Sequence, residues 1–86
     1  MNSDLKIMSE QRQAAVPVTV FLIRGWLDGQ SEEQFLEAAR NAYEGGARYL
    51  LIDMSDLDTI TSAGIRAMQK LYQMYTPKED QHNVAH

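Results

Sequence analysis

A chain of 86 residues with 44% hydrophobic content suffices for one small domain whose core leaves a thin margin of stability. It has no cysteine, which excludes a disulfide framework, a thiolate metal site and thiol redox chemistry. The formal net charge is −4, and no basic stripe or Lys/Arg interleaved with aromatics offers the phosphate-backbone footprint of a nucleic-acid partner.

The opening stretch MNSDLKIMSEQ carries acids and no apolar h-region, and no apolar run approaches the roughly 18 residues of a membrane span. A soluble cytoplasmic protein without direct membrane insertion is expected. Leu5 to Met8 alternate weakly and predict a short edge strand, with the polar run SEQRQAA as the turn after it. Beyond Pro17, the run VTVFLI from Val18 to Ile23 is β-branched and apolar on both faces. It predicts a strand covered on each side, closed by the glycine punctuation of RGWLDG.

Ser31 opens SEEQFLEAARNAYEGG, a strong helix signal. Its hydroxyl is positioned to cap free amides, Gln34 to reach back to the cap, and Glu32 and Glu33 to sit at the positive end of the helix dipole. Phe35, Ala38, Ala39, Ala42 and Tyr43 form one stripe meant to face a sheet, and Gly45 and Gly46 end the helix. In ARYLLID, Tyr49 to Ile52 are continuously apolar and predict a strand in the sheet interior, buried on both faces. Strand, helix, strand implies a parallel pair joined by a right-handed crossover. A polar loop then leads to a second helix from about Ser62 to Tyr75, with Ile65, Met68, Leu71, Tyr72 and Tyr75 on its apolar side and Pro77 just past its end. The reading is therefore α/β: a small mixed β-sheet with helices packed on it, one domain over residues 1–77. KEDQHNVAH, at 78–86, has no periodicity and is expected to be a disordered tail.

Few groups suit catalysis. His82 and His86 both fall in that tail, so a histidine base in fixed geometry is not expected. Asp53, Asp56 and Asp58 lack the glycine and closing glutamate of an EF-hand loop and read as a solvated acidic loop, with Asp53 bonding loop amides. Neither metal nor cofactor is expected. Trp26 reads as partly packed core or as an interface anchor, and Gly64 as a site of close helix–strand approach.

The stretch DMSDLDTITSAG, Asp53 to Gly64, resembles the signature of the STAS family, named for sulfate transporters and anti-sigma-factor antagonists. In that family a buried strand ends in an Asp-x-Ser loop, runs through an apolar spacer and meets a Ser-x-Gly at the start of a helix. The matching positions are Asp53, Ser55, Leu57, Ile60, Ser62 and Gly64. RGWLD, Arg24 to Asp28, is similar to the family's Gly-x-Leu-Asp before the first helix. The resemblance runs from about Leu5 to Pro77. Family members usually continue with a further strand and a final helix, so the resemblance implies an open sheet edge here and self-association as a homodimer or strand swap.

The resemblance further implies a non-enzymatic anti-sigma-factor antagonist that works by partner switching. Ser62 would be phosphorylated by a serine-protein kinase that doubles as an anti-sigma factor, and a phosphatase would restore it. The implied partner surface comprises Asp28, Thr61, Ser62, Ala63, Gly64 and Ile65. Such antagonists often carry an acid where this chain has Thr61, which makes Thr61 a competing acceptor. That departure admits two alternatives: the cytoplasmic accessory subunit of a membrane transport system, and an unmodified scaffold. On residue type alone, Ser62 or Thr61 is also read as a plain helix cap, contributing about 1 kcal/mol.

Overall fold

The computed structural model describes residues 4–76, and the expected tail at 78–86, with both histidines, lies outside them. The elements run β1 (Lys6–Gln13), β2 (Pro17–Leu27), α1 (Glu32–Glu44), β3 (Leu50–Ile60) and α2 (Ser62–Tyr75). The sheet order is β1-β2-β3, with β1 antiparallel and β3 parallel to β2. The mixed sheet with helices on it is thus as expected. β2, the most apolar strand, is central and buried through Thr19, Val20 and Phe21. One core cluster joins Phe21, Ile23 and Leu27 of β2 to Phe35, Leu36 and Ala39 of α1 and Ala67 and Leu71 of α2, so both helices cover the same face. Phe35 is fully buried, which contributes about 2–3 kcal/mol of transfer free energy.

Strand limits differ from the expectation in three places. SEQRQAA is not a turn. β1 continues through Gln13, pairing Ser9 with Phe21 and Arg12 with Val18, and the reversal comes at Ala14, whose amide donates to Val16 O at 3.1 Å. A polar run makes a good outer strand when β2 satisfies its backbone and its side chains stay in water. Second, Gly25 does not close β2. It sits inside the strand at φ 98°, where a Cβ would lie 2.1 Å from the carbonyl oxygen of Asp4. Only glycine allows the start of the chain to cross there.

Third, β3 lies at the edge of the sheet formed by the described strands rather than in its interior. Leu50 and Ile52 are half-buried, but Tyr49 is 56% and Leu51 55% exposed. A continuous apolar run reads alike in both positions, and the order β1-β2-β3 places β3 on the flank of the described sheet. The expected acidic loop is also part of β3, which runs to Ile60 through register shifts opposite Leu22/Arg24 and Gly25/Trp26. Extra residues in β3 absorb those shifts as bulges.

Two details of the helices differ as well. Ser31 occupies the N-cap of α1, but its hydroxyl makes no cap bond. It donates to Trp26 O at 2.8 Å and accepts from the Asp28 amide at 3.0 Å, while the Gln34 side chain donates to Leu5 O at 2.9 Å. The expected capping box is replaced by bonds that tie the helix to the sheet. On α2 the inward stripe is rotated: Gly64, Ala67 and Leu71 are buried and Met68 and Tyr75 half-buried, whereas Ile65 and Tyr72 stand exposed. Small residues on the inner face let α2 approach α1 and the sheet closely, which larger ones would prevent. At the far end of α2, the Tyr75 hydroxyl donates to Ala39 O at 2.7 Å and its ring meets Tyr43 edge-on, centroids 5.1 Å apart.

Candidate functional site

The candidate surface forms where β2 and β3 end on the same side of the sheet. Leu27, last in β2, pairs with Ile60, last in β3, and the chain leaves each strand into a helix. Thr61 is the N-cap of α2 in extended geometry. Its amide donates to Leu27 O at 3.0 Å, its carbonyl accepts from the Ile65 amide at 2.9 Å, and its Oγ1 accepts from the Gly64 amide at 3.4 Å. Three bonds therefore fix Thr61 between sheet and helix, and its hydroxyl is committed to the cap.

Ser62 differs. It is the first residue of α2 and is exposed, and no hydrogen bond to another described residue holds its hydroxyl. The first turn of a helix offers amides without intrahelical partners and the positive end of the macrodipole, so an anion on the Ser62 oxygen would be stabilised where it stands. α2 has no acidic residue in that turn to oppose it. Ala63 is half-buried and Ile65 is 52% exposed, which puts an apolar side chain one turn along from Ser62.

Gly64 is buried at the closest approach of α2 to β2. A Cβ there would lie 2.4 Å from Leu27 O and 2.7 Å from Ile60 Cγ1. The expected close approach is present, and it determines how far α2, and Ser62 with it, stands from the strand ends.

Asp28 sits in the β2–α1 loop, half-buried. Its Oδ1 accepts from the amides of Gln30 and Ser31, each at 3.1 Å, and lies at the same distance from the Ser31 hydroxyl, whose one proton it shares with Trp26 O. The carboxylate thus organises its own loop. The loop reaches the other candidate residues through Gly29, where a Cβ would lie 3.8 Å from Ala63 Cβ. Asp28 and the first turn of α2 therefore belong to one continuous surface. Sequence reasoning missed Gly29 and the Asp28–Ser31 network, although the spacing Asp-x-x-Ser carries the signal of a side chain that bonds amides two or three residues on.

Asp53 and Ser55, matched to the signature, lie farther back along β3. Asp53 Oδ1 accepts from the Ser55 amide at 3.0 Å and from the Ser55 hydroxyl, as the expectation of loop amides anticipated. The hydroxyl and then the amide of Ser55 hold the Asp53 carboxyl below its ordinary value. A carboxyl depressed in the fold contributes stability above its unfolded value, near 4, and loses it as pH falls through the folded one. In an NMR titration the Asp53 carboxyl is expected to show a midpoint below that of free aspartate. Ser55→Ala should move the midpoint upward, and an unchanged midpoint would show that the bond does not form in solution.

Among the described residues no group of three His, Asp or Glu side chains is placed to hold a metal ion, and no helix is long and apolar enough to cross a membrane.

Comparison with known proteins agrees with this fold. The family model described as STAS domain matches residues 6–80. No curated protein matches the chain. Among solved structures, an anti-sigma factor antagonist from Mycobacterium paratuberculosis superposes with a TM-score of 0.74 at 18% identity, over 85% of this chain and 60% of that one. An uncharacterized protein with a SpoIIAA-like fold from Shewanella loihica superposes at 0.60 and 24% identity, over 87% of this chain and 62% of that one. At these identities the likeness is one of fold, and the chain spans about three-fifths of the length of each.

Proposed function

Since the chain belongs to the STAS domain family, we propose that it is an anti-sigma-factor antagonist, a protein-binding regulator without catalytic activity that acts by partner switching with Ser62 as the switch. One observation carries this reading: the Ser62 hydroxyl is exposed and bonded to no other described residue at the head of α2, beside a Thr61 hydroxyl already used as the cap. The family is generally non-enzymatic, and a structural neighbour bears the antagonist's name. In this scheme a serine-protein kinase of the anti-sigma type modifies Ser62 in the cytoplasm and a phosphatase reverses the change. Docking involves Asp28, Thr61, Ser62, Ala63, Gly64 and Ile65.

A phosphate adds about −1.5 to −2 charges and three acceptor oxygens. At the start of α2 these meet free amides, so the fold tolerates the modification, while a partner seated on the same turn must desolvate the anion or leave. The absence of an acid before Ser62 favours a second reading, in which the same surface docks unmodified as a scaffold or as a transporter's accessory subunit. Incubation with the partner kinase and ATP separates the two by mass spectrometry. One added phosphate is expected, mapped to Ser62, retained in Thr61→Val and absent from Ser62→Ala. Phosphate on Thr61, or none on either residue, would overturn the switch.

A further inference from the structure

α2 turns one strip of side chains straight away from the sheet. Gly64, Ala67 and Leu71 are buried, and Ser62, Arg66, Gln69 and Gln73 are exposed on the opposite side, the spacing of one helical face. Arg66 lies one turn beyond Ser62, at i+4, where side chains on a helix are neighbours with Cβ atoms about 5–6 Å apart. It makes no hydrogen bond or ion pair with a described residue. The other cation of α2, Lys70, is held by Glu32 at 3.1 Å. α2 contains no aspartate or glutamate, and the positions three and four away from Arg66 are Ser62, Ala63, Gln69 and Lys70. The helix therefore carries a cation whose intrahelical partner is missing, and a phosphate on Ser62 would supply it.

We propose that Arg66 is the charge on which modification of Ser62 acts: in the unmodified chain it receives an acidic side chain of the docking partner, and once Ser62 carries phosphate it closes an intrahelical ion pair instead. The inference rests on the reading of Ser62 as the switch and adds the positioning residue that makes the switch work. An anion four positions before a cation is the favourable order on a helix, and a guanidinium takes two phosphate oxygens at once. Before modification the strip presents one uncommitted cation beside the positive end of the helix dipole. Afterwards that cation is engaged and about −1.5 to −2 charges have been added, so the strip changes sign and repels the acid it had attracted. Thr61 stands five residues before Arg66 and its Oγ1 is turned to the Gly64 amide, so a phosphate there would not complete the same pair.

Phosphoserine installed at position 62 during synthesis makes the test independent of any kinase, and 31P NMR follows the second ionisation of the phosphate. Its midpoint is expected to rise by about 0.3 of a pH unit in Arg66→Gln, the equivalent of one helical ion pair, and to stay near the parent value in Arg66→Lys. Added salt should shrink the difference. Arg66 is exposed, so these variants should fold like the parent. In the unmodified chain, Arg66→Glu should weaken binding of the partner kinase about tenfold without loss of thermal stability. Equal 31P midpoints in the parent and Arg66→Gln would overturn the ion pair, and undiminished binding of Arg66→Glu would overturn the acidic contact. Failure of the kinase to modify Ser62 is a separate result: it removes the switch, while the midpoint still decides whether Arg66 holds the phosphate.

Discussion

Gly64→Ala should lower the unfolding free energy by about 2–3 kcal/mol, the upper part of the range for overpacking, because the contact is rigid. The added carbon would sit 2.4 Å from Leu27 O, a backbone atom, and 2.7 Å from Ile60 Cγ1. Leu27 O is already engaged by the Thr61 amide, so it cannot swing aside without breaking the bond that starts α2. Alanine is better than glycine in a helix by about 1 kcal/mol, which offsets part of the loss and does not reverse it. For a domain of this size a kcal/mol is worth roughly 4–8 °C in Tm, so a fall of about 10 °C or more is expected. Gly29→Ala is the matched control on the same surface. Its carbon would meet only Ala63 Cβ at 3.8 Å, an ordinary contact, and its φ is not left-handed, so its effect should stay within about 0.5 kcal/mol. If the two variants unfold at the same temperature, the close approach of α2 to β2 is not what holds the site.

Ser62→Asp is expected to fold as well as the unmodified chain and to bind the partner kinase about a hundredfold more weakly, roughly 3 kcal/mol. A carboxylate at the first position of α2 interacts favourably with the helix dipole, by about 0.3–1 kcal/mol at an exposed site, so thermal stability should hold or rise slightly. Affinity falls because the docking partner meets a charge it must desolvate. Ser62→Ala separates charge from the loss of the hydroxyl: it should bind like the unmodified chain, since nothing described bonds that hydroxyl. Undiminished binding of Ser62→Asp, measured by calorimetry, would leave the surface a docking site without a switch.

The two variants act through different links. Gly64 sets where the first turn of α2 stands, and in the proposed function Ser62 sets what a partner finds there. A loss of binding in Gly64→Ala should therefore track the loss of stability, whereas in Ser62→Asp it should not.

The sequence by itself determined the α/β class, the existence and limits of both helices, the parallel relation of β2 and β3, and the placement of Ser62 at the head of α2. Those features rest on local signals: helical spacing, a hydroxyl pair at the head of α2, glycines at the end of α1, and a crossover that leaves little choice of topology. The signature residues from Asp53 to Gly64 were legible for the same reason, because they lie in one continuous stretch.

Tertiary structure alone decided the rest. That Tyr49 to Ile52 lie on the flank of the described sheet follows from the strand order β1-β2-β3, which no residue of β3 records. The polar run of β1 became a strand because β2 offered it a ladder. The face of α2 that turned inward was set by how closely Gly64 and Ala67 allow the helix to approach its neighbours, so Ile65 and Tyr72 were left in water. Asp28 joins the first turn of α2 through Gly29 and Ala63, a juxtaposition of residues more than thirty positions apart in the chain that only the shared ending of β2 and β3 could bring about.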